Sequence, residues 1–198
     1  MDLFLDTEFI CFKELRPLSV GFCPLDDELP SAYFELAIEK PDISLLDEER
    51  QFFMTTEVLS QIGVAEQFSE LENLGIRCLR SETKGLEIAI YRYLAECSAI
   101  AEKKKEKIWL VSDYSGDFTV LKKFVQQDYL NSLWIREIFV DRLVPELWRA
   151  QAAYIHCQST LFKEGLTLDN GAKLNRHHAY FDAWVMAQSY REALLNAY

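Results

Sequence analysis

The sequence predicts an α/β fold in which a mixed sheet, made of three antiparallel strands plus parallel strands, is flanked by helices. Three apolar runs with short links come first, which predicts an antiparallel meander. Strands then alternate with amphipathic helices, which predicts parallel strands joined by crossover helices. No repeat, low-complexity tract or linker divides the chain, so residues 1–198 are expected to form a single domain.

The antiparallel half rests on three short segments rich in β-branched and aromatic residues. The second and third are joined by PLDDELP, an acidic, proline-bounded turn typical of a hairpin connection. From residue 41 to residue 84 the pattern is irregular, and Pro41, Gly63 and Gly75 interrupt short apolar pieces. This stretch is therefore predicted to be a loop with a short helix. The predicted strands are residues 2–5, 17–23 and 31–38.

The second half has clearer periodicity. Leu86, Ile90, Leu94 and Cys97 follow helical spacing, and lysines stand at the end of that helix, where cations are favourable. IWLVS and IREIFV are predicted to be buried strands. The expected strands are residues 108–112 and 135–140, and the expected helices are residues 85–104, 118–127, 144–157 and 178–196.

Composition and charge limit the classes of protein to consider. No apolar run is long enough to span a bilayer and no basic leader precedes the first strand, which predicts a cytoplasmic protein without a membrane partner. Five scattered cysteines without a CxxC pair indicate reduced thiols. The net charge of −11 argues against binding nucleic acid through a broad basic surface. It is compatible with an enzyme that holds a short strand end.

The first strand is predicted to end on Asp6 and Glu8, two carboxylates at positions i and i+2. Side chains with this spacing point to the same face of a strand. Like charges so close repel, and a hard divalent cation such as Mg²⁺ or Mn²⁺ is the usual remedy. A solvated turn is the alternative reading of these two residues.

Two further acids lie where they could join this pair. Asp117 follows the strand IWLVS and opens a helical run, a position where clefts of α/β sheets form, although a helix N-cap is an equally good explanation. Asp113 is a candidate turn residue or supporting group. Asp182 lies on an otherwise small or apolar helix face, so its charge needs a cation or a partner.

The last helix is expected to pack closely on the sheet. Ala179, Ala183 and Ala187 recur at steps of four, which allows a close approach that would carry Asp182 to the sheet. His177 lies just before this helix, and its ordinary pKa suits it to accept a proton from water. The adjacent His178 is the competing candidate for that role.

Together these segments resemble the three motifs of the DEDDh 3′→5′ exonucleases, the family that includes RNase T, oligoribonuclease and DNA polymerase proofreading subunits. Residues 177–183 match the pattern H-x-A-x-x-D-A at every fixed position. The second motif, F-D-x-x-x-L, matches in part, since Gly116 replaces an aromatic residue and Asp113 stands where Asn is common. The resemblance covers essentially the whole chain, and its long acidic middle is most similar to a bacterial exoribonuclease-like branch.

The resemblance implies a ribonuclease H-like fold and a two-metal phosphodiesterase. Two Mg²⁺ or Mn²⁺ ions would be held by Asp6, Glu8, Asp117 and Asp182. His177 would be the general base, and nucleoside 5′-monophosphates would be released from single-stranded or overhanging 3′ ends of RNA or DNA. Exoribonuclease is the first choice, and a homodimer is possible by analogy.

Residues next to the first motif are candidates for substrate binding. Phe9 and Ile10 would stack on or wedge beside the terminal base, and Thr7 lies between the two carboxylates. Core packing is the alternative for Phe9. The competing functions are a non-catalytic nucleic-acid or protein interaction module on the same fold, a DNA-directed exonuclease, and a metal phosphatase with an unrelated carboxylate cluster.

Overall fold

Six strands form one mixed sheet in the computed structural model, which describes residues 1–10, 16–38 and 41–197. The strands are β1 (Asp2–Ile10), β2 (Arg16–Pro24), β3 (Ala32–Leu36), β4 (Arg77–Ser81), β5 (Ile108–Ser112) and β6 (Ile135–Phe139), with a separate pair β7 (Leu166–Thr167) and β8 (Lys173–Leu174). The strand order is β4-β3-β2-β1-β5-β6. β1, β2 and β3 are antiparallel, whereas β5 pairs parallel with β1 and β6 parallel with β5. The predicted mixed α/β sheet is confirmed.

Helices cover both faces of this sheet. The helices are α1 (Glu48–Phe53), α2 (Ala65–Asn73), α3 (Thr83–Lys103), α4 (Ser115–Phe124), α5 (Gln127–Ser132), α6 (Trp148–Glu164) and α7 (Ala179–Leu195), with a π-helix over Met54–Val58 and 3₁₀ turns over Leu59–Gln61 and Val140–Arg142. One core layer lies under α3, α4 and α5, and a second lies under α2, α6 and α7. In the part of the chain that the structure describes, no helix has the length and apolarity needed to cross a membrane.

The described cysteines are free thiols, as predicted from their spacing. Cys23 and Cys97 are buried, and Cys78 and Cys157 are partly buried. Cys11 lies outside the described residues.

Side chains of β1 alternate between the two core layers. Leu3 and Leu5 belong to the layer under α3 and α4, while Phe4 belongs to the layer under α7. Because strand side chains alternate with a period of two, Asp6 and Glu8 are on the same face of β1 as Phe4. The pair therefore lies on the side of the sheet that α7 covers.

The prediction that the first strand ends at residue 5 is wrong. β1 continues to Ile10 because β2 pairs with it along this length, with an irregularity in register between Glu8 and Phe9. On its other side, β1 pairs with β5 only from Asp2 to Phe4. The carboxylates thus lie within a strand, at the margin where its parallel neighbour has ended.

The prediction of a loop with a short helix over residues 41–84 is also wrong. This segment contains α1, α2 and β4, and β4 adds a sixth strand parallel to β3. An ion pair supports the addition, since Arg80 Nε lies 2.6 Å from Glu35 Oε1. The same buried carboxylate of Glu35 accepts a hydrogen bond from the backbone N–H of Gly63 at 3.2 Å. That bond fixes the residues that follow the 3₁₀ turn Leu59–Gln61 relative to the sheet.

Several helix boundaries differ from the predicted ones. The helix predicted for residues 118–127 begins earlier, as α4, and a separate α5 follows it. The helix predicted for residues 144–157 lies further along, as α6, because a 3₁₀ turn precedes it and Gly165, with φ of 69°, ends it. α7 agrees with the predicted helix to within one residue at each end.

α7 approaches the sheet as closely as the alanine spacing predicts. Ala179, Ala183 and Ala187 are all fully buried. The closest approach is at Gly21, where an added Cβ would lie 2.3 Å from the backbone nitrogen of Tyr180. Gly21 is the residue of β2 that pairs with Asp6 of β1. The first turn of α7 therefore reaches the sheet directly beside the acidic pair.

We expect Gly21→Ala to lower the free energy of unfolding by about 3 kcal/mol, because the new methyl group meets backbone atoms that cannot rotate away. Chemical denaturation would measure the change. Gly171→Ala is the control: its φ is 83° but its Cβ would meet no atom within 4 Å, so only backbone strain of about 1 kcal/mol is expected. Equal losses in the two variants would contradict the close contact.

Candidate active site

All four predicted metal ligands and His177 line one cavity of about 680 Å³. β1 supplies two of these residues, α4 one and α7 one, while His177 comes from the loop that precedes α7. The residues that converge are Asp6, Glu8, Asp117, His177 and Asp182. The structure thus brings together residues up to 176 positions apart in the chain.

The ionisable groups form two neighbouring clusters. Ligand atoms of Glu8, His177 and Asp182 all lie within 4.8 Å of one another. Those of Asp6, Asp113 and Asp117 satisfy the same distance. Because Asp6 and Glu8 share one face of β1, the two clusters adjoin each other, one toward α7 and one toward α4.

Asp117 is the most deeply buried of the carboxylates, at 1% exposure. Its Oδ1 accepts a hydrogen bond from the Thr7 hydroxyl at 2.7 Å, and its Oδ2 accepts one from the Ser112 hydroxyl at 2.5 Å. Burial raises the pKa of Asp117 to about 7, against the lowering effect of these two donors. Its carboxylate does not act as the N-cap of α4, since Tyr114 occupies that position.

Asp182 lies in the first turn of α7 and is 8% exposed. Its Oδ2 accepts a hydrogen bond from the backbone N–H of His177 at 3.1 Å. Its Oδ1 is buried and has no hydrogen-bond partner among the residues that the structure describes. Burial raises the pKa of Asp182 to about 7.

The surroundings of Asp6 and Glu8 also disfavour the ionised form of their carboxyl groups. Burial raises the pKa of both carboxyls well above their usual range, and repulsion from Asp117 and Asp182 adds to the effect. Asp6 Oδ2 is a second buried oxygen that lacks a partner within the described ranges. Buried oxygens without partners are rare in folded proteins and call for an explanation. A set of carboxylate oxygens fits a hard divalent cation such as Mg²⁺ or Mn²⁺.

His177 adopts a left-handed backbone conformation, with φ of 70°. This is uncommon for a residue other than glycine and tends to occur at functional sites. Its Nδ1 lies 3.9 Å from Glu8 Oε1, and the Phe53 ring meets its imidazole edge-on at 4.9 Å between centroids. Burial, helped by the charge of Arg176, lowers the pKa of His177. The imidazole is therefore neutral at neutral pH and can accept a proton.

His178 has a different place in the structure. It is the N-cap of α7, where its Nδ1 accepts a hydrogen bond from the Phe181 N–H at 3.4 Å. Its ring stacks on Tyr33 at 4.5 Å, and burial lowers its pKa to about 3. Of the two histidines that the sequence offers as a base, only His177 lines the cavity.

The three predicted substrate-binding residues are placed differently from one another. Phe9 lines the cavity and stacks with Tyr114 at 6.2 Å between ring centroids, while also packing against the core. Thr7 lines the cavity too, but its hydroxyl is engaged with Asp117. Ile10 is 3% exposed and packs in a small apolar cluster with Met54 rather than on the cavity wall.

Several residues of the cavity wall were not among the predicted metal, catalytic or substrate-binding residues. Asp113 joins the cluster of Asp6, and its only sequence signal is its place in the second motif. Arg176 lies over the Phe162 ring at 5.1 Å, and its charge lowers the pKa of Glu8 and Asp182. The other wall residues carry no motif and arrive through tertiary packing; they include Leu46, Arg50, Phe53, Met54, Val58, Gln158 and Ser159.

We expect the metal-free protein to lose stability as pH rises from about 4 to about 7. The folded-state pKa values of Asp117 and Asp182 are raised from 3.8 to about 7, so the native state binds more protons than the unfolded state over this range. The contribution of these two carboxyl groups to the free energy of unfolding is fully present below pH 4 and is lost as pH rises through 7. Thermal unfolding in chelator would measure it.

Asp182→Asn provides the comparison for this pH dependence. The amide does not ionise, so the variant should show a shallower decline and a higher Tm than wild type at pH 7.5 in chelator. Subtracting the two pH profiles cancels the groups that titrate in both proteins. Identical slopes would show that the pKa of Asp182 is not raised in the folded protein.

Comparisons of the chain with protein-family models, with curated proteins and with solved structures find no match in any of the three. The function of the site is therefore inferred from its own geometry and chemistry, together with the motif resemblance of the sequence.

Proposed function

We propose that the protein is a metal-dependent 3′→5′ exonuclease of the DEDDh kind, with a ribonuclease H-like fold and RNA as its first-choice substrate. The observation that carries this proposal is the convergence of four carboxylates and one neutral histidine in a single cavity. Two buried carboxylate oxygens there have no protein partner within the described residues. Such a set is suited to phosphodiester hydrolysis that releases nucleoside 5′-monophosphates.

The ligands in this proposal are Asp6, Glu8, Asp117 and Asp182, which would hold two Mg²⁺ or Mn²⁺ ions. When bound, the ions supply Lewis-acid stabilisation of the charge that develops on the phosphate. Thr7 and Ser112 orient the Asp117 carboxylate through their hydroxyl groups, and the His177 N–H orients that of Asp182. Both oxygens of Asp117 and one oxygen of Asp182 thus accept hydrogen bonds from the protein, whereas Asp6 Oδ2 and Asp182 Oδ1 have no partner among the described residues.

His177 is the general base in this proposal. Its imidazole is neutral because burial lowers its pKa, so it can take the proton from an attacking water molecule. The edge-on contact of the imidazole with Phe53 and the hydrogen bond from the backbone N–H of His177 to Asp182 limit the movement of this residue. His178 contributes indirectly, since it caps the helix that presents Asp182.

The shape and charge of the molecule favour a strand end over a length of duplex. A cavity of about 680 Å³ is in the size range of small-ligand sites, which suits one end of a chain. Its wall combines the carboxylates with apolar side chains such as Phe9, Phe53, Met54 and Phe162, against which a base can pack. A net charge of −11 disfavours a long phosphate interface.

The proposal is tested by a degradation time course on matched RNA and DNA, single-stranded or with a 3′ overhang, with Mg²⁺ and Mn²⁺ compared. A 5′-labelled RNA should shorten stepwise, and chromatography should detect nucleoside 5′-monophosphates. Chelator should stop the reaction. Release of inorganic phosphate without shortening would indicate a phosphatase, and absence of any cleavage would favour a binding module.

Asp6→Ala and Asp182→Asn should each lower kcat/KM on single-stranded RNA by more than about a hundredfold, since loss of a group that merely supports a metal ligand already costs 10–100-fold. Calorimetric titration with Mn²⁺ should show weaker binding in both. Asp169→Asn, an exposed acid outside the cavity, is the matched control and should match wild type. Undiminished activity of Asp6→Ala would remove Asp6 from the metal site.

His177→Asn should lower kcat by roughly 100- to 10,000-fold, the usual contribution of general acid–base catalysis. Asn tolerates a positive φ, so the backbone should keep its conformation and Mn²⁺ binding should persist. Single-turnover kinetics at saturating metal would separate the base from the ligands. Parallel loss of Mn²⁺ affinity and kcat would instead make His177 a ligand.

A further inference from the structure

One face of α6 is unusually apolar for a solvent-exposed helix. Trp148 is 79% exposed and is the most exposed of the four tryptophans, and Ile155 is 61% exposed. With the 3.6-residue period of a helix, Trp148, Gln151, Ile155, Ser159 and Phe162 lie along one stripe, called here the α6 face. Two exposed apolar side chains do not by themselves mark a binding site, so their surroundings decide whether the face can bind a ligand.

The charge around the α6 face departs from that of the rest of the chain. Between Glu146 and Glu164 there is no Asp or Glu, which is the longest such interval in a sequence with 32 acidic residues. Arg149 and Lys163 flank the stripe and are exposed. Neither side chain has an ion-pair partner in the described part of the protein. A protein of net charge −11 thus has, along α6 up to its last residue, an interval that carries basic side chains and no acidic ones.

The α6 face continues into the candidate active site. Ser159 and Phe162, at its C-terminal end, and the neighbouring Gln158 line the cavity that holds the carboxylates. Arg176, which precedes His177, lies over the Phe162 ring at 5.1 Å. Trp148 lies 14 residues before Phe162, which corresponds to about 21 Å along the helix axis at a rise of 1.5 Å per residue. One continuous surface therefore leads from an exposed tryptophan to the carboxylates.

We propose that the α6 face binds the single strand that lies upstream of the reacting 3′ end, so that the substrate is an oligonucleotide of several nucleotides rather than a dinucleotide. This inference rests on the proposed exonuclease function. Exposed aromatic rings with nearby cations are the features that bind single strands independently of sequence. Trp148 stacks on a base, and Arg149 and Lys163 contact phosphates on either end of the stripe. A stacked strand advances about 3.4 Å per nucleotide, so 21 Å corresponds to about six nucleotides.

The kinetic test compares single-stranded RNA of two and of eight nucleotides. Trp148→Ala should lower kcat/KM on the octanucleotide about tenfold through KM, as expected for one lost base–aromatic stack, and leave kcat unchanged. Activity on the dinucleotide should be unaltered. Trp134→Ala, which removes a partly exposed tryptophan outside the cavity wall, is the control and should show no length-dependent change.

The binding test uses fluorescence anisotropy of a 5′-labelled octanucleotide in the Asp182→Asn background, so that it does not depend on turnover. Trp148→Ala should weaken binding about tenfold. The double variant Arg149→Ala, Lys163→Ala should reduce the slope of log affinity against log salt by about 1.4, from two phosphate contacts at about 0.7 each.

The outcomes distinguish the inference from the proposed function. Equal losses on both RNA lengths, or no loss of octanucleotide affinity, would overturn the role of the α6 face while leaving the exonuclease intact. Light scattering that shows a wild-type dimer and a Trp148→Ala monomer would overturn it too, by making the face an interface between copies. If wild type degrades no nucleic acid, the proposed function fails, and the anisotropy arm still decides whether the α6 face binds single strands.

Discussion

The close approach of α7 to β2 at Gly21 is the constraint on which the candidate site depends. A side chain at this position would collide with the backbone of Tyr180, so the helix reaches the sheet only because the residue is glycine. Gly21 pairs with Asp6, and the first turn of α7 carries Asp182. A Cβ added at Gly21 would push α7 away from the sheet and so separate Asp182 from Asp6 and Glu8. Steric fit at one backbone position thus determines an electrostatic arrangement.

That arrangement opposes the stability of the fold. Burial and mutual repulsion raise the pKa of all four carboxylates, so ionising them at neutral pH costs folding free energy. Apolar packing in the two core layers, one on either side of the sheet, offsets this destabilisation. Part of the chain's excess negative charge is thus concentrated in this site.

Local patterns were enough to predict the elements that carry the chemistry. The alanine steps of α7, the alternation in β1 and the buried run of β5 each predict a face of an element, whereas the four acids and His177 were assembled into one set through the motif resemblance. β4 was missed because RCLRS has charged, exposed residues and gains its place through the ion pair between Arg80 and Glu35. Phe53 reaches the cavity by tertiary packing, for which a single sequence has no periodic signal. Ile10 looked like a wedge beside the first motif, yet the extension of β1 places it in an apolar cluster.

The chain order of the site has a consequence for protein synthesis. β1 carries Asp6 and Glu8, whereas α7, which carries Asp182, follows every strand of the sheet in the sequence. Domains emerge from the ribosome N-terminal end first, so the sheet can begin to form before α7 is made. A nascent chain that ends before α7 already contains Asp6, Glu8 and Asp117, but it lacks Asp182 and the wall of the cavity that α7 forms. If the proposed activity is correct, the growing polypeptide is inert toward the messenger RNA beside it, and hydrolysis becomes possible only after the last helix has docked.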